Sequence, residues 1–116
     1  MWRPWGALAG VIVLIAASAA AQTDRSAPVQ TVVACKATSS TLALANNEAR
    51  NLLTFQNDSD TDIYVTAGAT AATGTGWRVV ANGGGWFFDS KVPIGALYCI
   101  HGATGNKSLL VTEGSK

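Results

Sequence analysis

From Thr31 onward the chain consists of short runs of Val, Thr, Leu, Tyr, Phe and Trp, each cut off by Gly, Asn, Asp, Ser or Pro. This punctuation constrains the fold more than any single motif, because runs this short suit strands and leave no room for an amphipathic helix. No window holds a 3.6-residue period, and the best helical candidate, 43–53, is broken by Asn46-Asn47. The spacing predicts eight strands: 32–36, 41–45, 51–56, 63–67, 77–81, 86–89, 96–100 and 108–112. Alternation supports them. Leu53 and Phe55 share one face of their run and Leu52, Thr54 and Gln56 the other, while Ile63 and Val65 oppose Tyr64. No strand–helix–strand repeat occurs, which argues against a parallel α/β sheet. The expected fold is all-β, a single small β-sandwich (jelly-roll-like or Ig-like) of short antiparallel strands. The stretch 67–76, rich in Ala, Thr and Gly, reads as a long flexible loop or weak edge segment.

The N-terminus follows a different logic. Arg3 supplies a positive n-region, an apolar run covers 7–17, and Ala17-Ser18-Ala19 and Ala19-Ala20-Ala21 offer small residues for cleavage. This order reads as a secretory signal over 1–21; the competing reading is an uncleaved anchor, although the apolar span is short for a bilayer core. Residues 22–30 read as a flexible lead-in and 31–116 as the sandwich domain. Export makes a disulfide the natural state of Cys35 and Cys99, against the alternative of two buried thiols. Removing 1–21 takes Arg3 from the eight Lys and Arg and leaves seven, balanced by seven Asp and Glu. A neutral domain without a basic run has little attraction for nucleic acid. Membrane contact is expected only through an uncleaved signal.

Groups for catalysis are scarce. His101 is the only histidine, and no Gly-x-Ser-x-Gly pattern surrounds a serine, although Asp89-Ser90 leaves a triad conceivable. Near a glycine-rich turn, a lone histidine reads as a surface residue. The two glutamates, Glu48 and Glu113, have no spacing that argues for a glycosidase pair. We therefore expect no enzyme and no cofactor. Asp58, Asp60 and Asp62 match the opening of a calcium loop, but the glycine and the closing glutamate are missing, so an exposed turn competes strongly. Asn82-Gly83-Gly84-Gly85 lacks the lysine and helix of a phosphate loop and reads as a hairpin turn. In the run Trp86-Phe87-Phe88, Trp86 and Phe88 must oppose Phe87. Phe55 and Phe88 are expected inside and Trp77 or Trp86 exposed. Trp77, Trp86, Tyr64 and Tyr98 are the candidate ligand-binding aromatics, with ordinary core filling as the alternative. Asn57-Asp58-Ser59 and Asn106-Lys107-Ser108 match the N-glycosylation pattern.

Four blocks carry a family resemblance: the run from Ala49 to Val65, Gly84-Gly85-Trp86-Phe87-Phe88-Asp89, Val92-Pro93-Ile94-Gly95-Ala96-Leu97-Tyr98 and the terminal Leu110-Val111-Thr112-Glu113-Gly114. Together they make the domain resemble small tail, neck or capsid-accessory proteins of tailed bacteriophages. The resemblance implies a β-sandwich that packs against other virion subunits or binds a surface glycan, without catalysis. The expected function is a non-enzymatic, exported structural or interaction module, either secreted or periplasmic, or else part of a virion. Its partners would be protein neighbours of a virion or envelope assembly, a further copy of itself, or a surface glycan. The alternative is a secreted carbohydrate-binding module that uses an exposed tryptophan.

Overall fold

The computed structural model describes residues 27–116; the expected signal, 1–21, and residues 22–26 of the lead-in lie outside the described residues. All eight expected strands form. They are β1 (Val29–Cys35), β2 (Thr41–Leu44), β3 (Arg50–Asn57), β4 (Ile63–Ala67), β5 (Trp77–Val79), β6 (Gly84–Phe88), β7 (Leu97–His101) and β8 (Lys107–Ser115). No helix occurs among the described residues. The largest boundary differences have one cause. β8 runs on to Ser115, so Val29 and Gln30, expected in the lead-in, find partners in Glu113 and Thr112.

The strands form two antiparallel sheets, the first in the order β1-β8-β3-β6 and the second in the order β2-β7-β4-β5. Strands 1 and 8, 2 and 7, 3 and 6, and 4 and 5 pair in a nested series that alternates between the sheets. That winding is an eight-stranded jelly roll and decides between the two sandwich types expected. Alternation then sets the core. Val33, Leu53, Phe55, Leu109 and Val111 of the first sheet meet Ile63, Val65, Val79, Leu97 and Cys99 of the second, all buried.

Cys35 ends β1 and Cys99 lies inside β7, so their disulfide joins the two sheets through the core, with Cα atoms 5.6 Å apart. It closes a 64-residue span.

The segment 68–76 is tied down rather than free. The Ala71 N–H donates to Ser40 Oγ at 2.9 Å, just before β2, so the chain leaving β4 crosses β7 to reach the far edge of the second sheet. Ala71 is buried, as is Ile100, which alternation points outward from β7. Small residues allow this close approach. The loop therefore straps the outer face of the second sheet, while among the described residues no segment crosses that of the first.

Candidate functional site

Polar networks close the two ends of the sandwich. At one end Arg50 opens β3 with its side chain wholly buried. Its Nε donates to Glu113 Oε1 at 3.0 Å, Nη1 to the Pro93 and Gly95 carbonyls, and Nη2 to the Ala45 carbonyl. Asn47 donates to the same carboxylate and to Ser115 Oγ. The guanidinium thereby joins β3, β8 and two loops. At the other end Asn57 is sealed from solvent: Nδ2 donates to the Thr61 and Val79 carbonyls, while Oδ1 accepts from the Ser59 N–H and hydroxyl. The Asn57 glycosylation pattern is thus occluded in the folded chain.

The expected calcium-like carboxylates are dispersed around that turn. Asp58 accepts from Gln56, Asp60 pairs with Lys107, and Asp62 pairs with Arg78 and accepts the Ala81 N–H at 2.8 Å. Among the described residues no group of three His, Cys, Asp or Glu is placed to hold a metal. The turn's own backbone and neighbouring cations use the oxygens that a cation would need. The Ala81 N–H, followed by Arg78, holds the Asp62 carboxyl below 3.8; Lys107, followed by Thr61, does the same for Asp60. Folding favours the ionised forms, so this contribution is present above the unfolded value and disappears as pH falls through the lower folded midpoints. A carboxyl NMR titration should place the Asp62 midpoint below 3.8, and Arg78→Ala should raise it part of the way, since the Ala81 N–H remains. An unchanged midpoint in the variant would disprove the pairing.

His101, expected at the surface, is fully buried at the end of β7; Nδ1 accepts the Ala103 N–H at 3.2 Å, and Nε2 has no hydrogen-bond partner. It pairs with Ile63, at the Asn57 end, whereas Asp89-Ser90 follow β6 at the Arg50 end. The groups of the conceivable triad therefore sit at opposite ends of the sandwich.

The four candidate ligand-binding aromatics do not form one site. Trp77 faces inward and packs on Phe55 and Phe88, with ring centroids 6.2 and 5.3 Å away. Trp86 also lies on the inward side of β6, but at the open margin between β5 and β6. It stacks on Phe88, donates its indole N–H to the Arg78 carbonyl and remains 43% exposed. Tyr64 and Tyr98 are half-buried on the outer side of the second sheet. Phe55 is inside as expected and Phe88 half-buried against the core. Among the described residues the most exposed ring is Phe87, at 65%. Its orientation opposite Trp86 was legible in the alternation; which side was core was not.

Phe87 belongs to a broad surface. Ladder register aligns Gln30, Thr112, Thr54 and Phe87 in one row across the first sheet, and Val32, Leu110, Gln56 and Gly85 in the next. Ala34 beside Ser108, with Leu52, complete the outward positions that alternation defines. None of these side chains is charged. A side chain at Gly85 would strike the Phe55 carbonyl, its Cβ only 2.5 Å away, so glycine is what allows β6 to lie this close to β3. Beside it a shallow depression of about 300 Å³ is flanked by Thr54, Gln56, Trp86 and Phe87, and another of about 370 Å³ lies away from this face, at Asp60, Tyr64 and Gly102.

No family model, curated protein or solved structure matches this chain.

Proposed function

We propose that this domain works without catalysis, as an exported structural module that holds a protein neighbour against the outer face of its first sheet. The observation that carries this is the uncharged face itself, which no segment of the described residues crosses, with Val32 and Phe87 largely exposed at its two sides. Covering such a face desolvates no ion, while its Val, Leu, Thr and Phe side chains contribute apolar area. The strapped second sheet provides no comparable surface. Eight-stranded jelly rolls build capsid and lectin domains alike, a fold-level analogy that agrees with the resemblance to phage virion accessory proteins.

Phe87→Asp tests this. The substitution is at an exposed position, so stability should change by no more than about 0.5 kcal/mol. In native size fractionation of the source, the unaltered protein should travel with a particle or envelope complex, and the variant should be released from it. A protein that runs free in every fraction would overturn the reading. The depression beside Trp86 and Phe87 favours carbohydrate binding as the second reading, since a ring, an amide and a hydroxyl border it. Glycan-array binding that disappears in Trp86→Ala would favour that reading instead.

A further inference from the structure

A sandwich has four edge strands, and bare edges invite pairing with other chains, so proteins blunt them with shortness, charge, bulges or cover. Three edges here are blunted. β2 has four residues and a register break between Leu42 and Leu44. β5 has three residues, carries Arg78, and gives the Arg78 carbonyl to the Trp86 indole. β6 opens on Gly84-Gly85 and runs beside β5, with Trp86 over the margin.

Among the described residues β1 has none of these devices. Its seven residues, VQTVVAC, pair with β8 in one unbroken register and include no charge, proline or glycine. Among the described residues no strand lies on its other side. Alternate N–H and C=O groups of an edge strand point away from its partner, so β1 presents an uncapped ladder. Val29 and Val32 are 64% and 67% exposed beside it.

Resting on the interaction-module reading above, we propose that β1 pairs antiparallel with β1 of a second copy of this chain, about a two-fold axis through Val32. The strand is self-complementary in that register. Val32 faces Val32, Gln30 faces Ala34 and Thr31 faces Val33, so no like charges meet and β-branched side chains lie opposite one another. The ladder ends where Pro28, which has no N–H, would face Lys36. An axis perpendicular to the sheet keeps both outer faces on the same side. Two uncharged four-stranded faces would then join into one eight-stranded face, doubling the surface offered to a neighbour. A single edge pairing is small for a permanent dimer, so association should depend on concentration.

Sedimentation of the host-processed protein, purified without reductant, provides the test. A concentration series should show a monomer–dimer equilibrium. Val32→Lys places two ammonium groups on the axis and should weaken dimerisation by about tenfold or more. Val32→Glu should do the same, and mixing the two variants should restore association, because only residue 32 facing itself puts Lys opposite Glu. Circular dichroism should show both variants folded. A protein that stays monomeric at millimolar concentration, or a dimer indifferent to residue 32, would overturn the proposal. So would β1 amide protection from exchange that is the same at all concentrations, which would assign the edge to the chain's own N-terminal segment. A monomer that still joins its particle sinks edge pairing alone, whereas a dimer that joins nothing sinks the interaction reading.

Discussion

Replacing Arg50 with alanine should lower the unfolding free energy by about 3–5 kcal/mol, the range for removing one partner of a buried ion pair. The side chain is wholly buried and makes four hydrogen bonds, to Glu113 and to the carbonyls of Pro93, Gly95 and Ala45. Truncation leaves the Glu113 carboxylate with Asn47 as its remaining partner here, orphans the guanidinium's carbonyl acceptors, and opens a cavity. Lysine should not rescue it, because a point charge cannot address a carboxylate and three carbonyls at once. Urea denaturation of Arg50→Ala, Glu113→Gln and the double variant checks this. The double variant should lose less than the sum of the two single losses, with the arginine change the larger of the two single effects. A loss below about 1 kcal/mol, the scale of an exposed pair, would mean that water reaches this end of the sandwich.

Breaking the Cys35–Cys99 disulfide should cost a similar amount, about 4 kcal/mol on the chain-entropy model for a 64-residue span. For a domain of this size that corresponds to a fall in Tm of roughly 15–30 °C. Much of the 5–15 kcal/mol that holds an ordinary domain would be gone. Thermal unfolding with and without reductant measures it, and Cys35→Ala/Cys99→Ala should behave as the reduced protein does, apart from lost packing. Both sulfurs lie in the core, so reduction should be slow until the sandwich opens. A Tm unchanged by reductant would show that the packed sheets alone hold this domain.

Much of the architecture was legible because strands have a short code. Turn residues placed the eight strands, and period-two alternation put Leu53, Phe55, Ile63 and Val65 on common faces. The cysteine pair was legible as well, since a chain with two cysteines has one possible intramolecular pairing. The candidate sites were much less so. Asp58, Asp60 and Asp62 look like ligands in the sequence, but their partners, Gln56, Lys107, Arg78 and the Ala81 N–H, come partly from distant strands. Nothing near His101 in the sequence announces burial, which follows from its place opposite Ile63. Arg50 gave no local signal at all, because its acceptors are brought together by β8 and the loop before β7.

The chain's local chemistry thus determined what each segment is: strand or turn, and which side chains share a face. Only the tertiary structure decided which of those faces became core. Alternation is symmetric and cannot say whether Phe87 or Trp86 points inward; the nesting of β6 against β3, with β5 across the margin, turned Trp86 inward and left Phe87 in solvent. The same holds for the two sheets. The outer face of the second is covered because the chain between β4 and β5 crosses it to Ser40. That crossing depends on where the winding brings β2, a long-range fact that no local window contains.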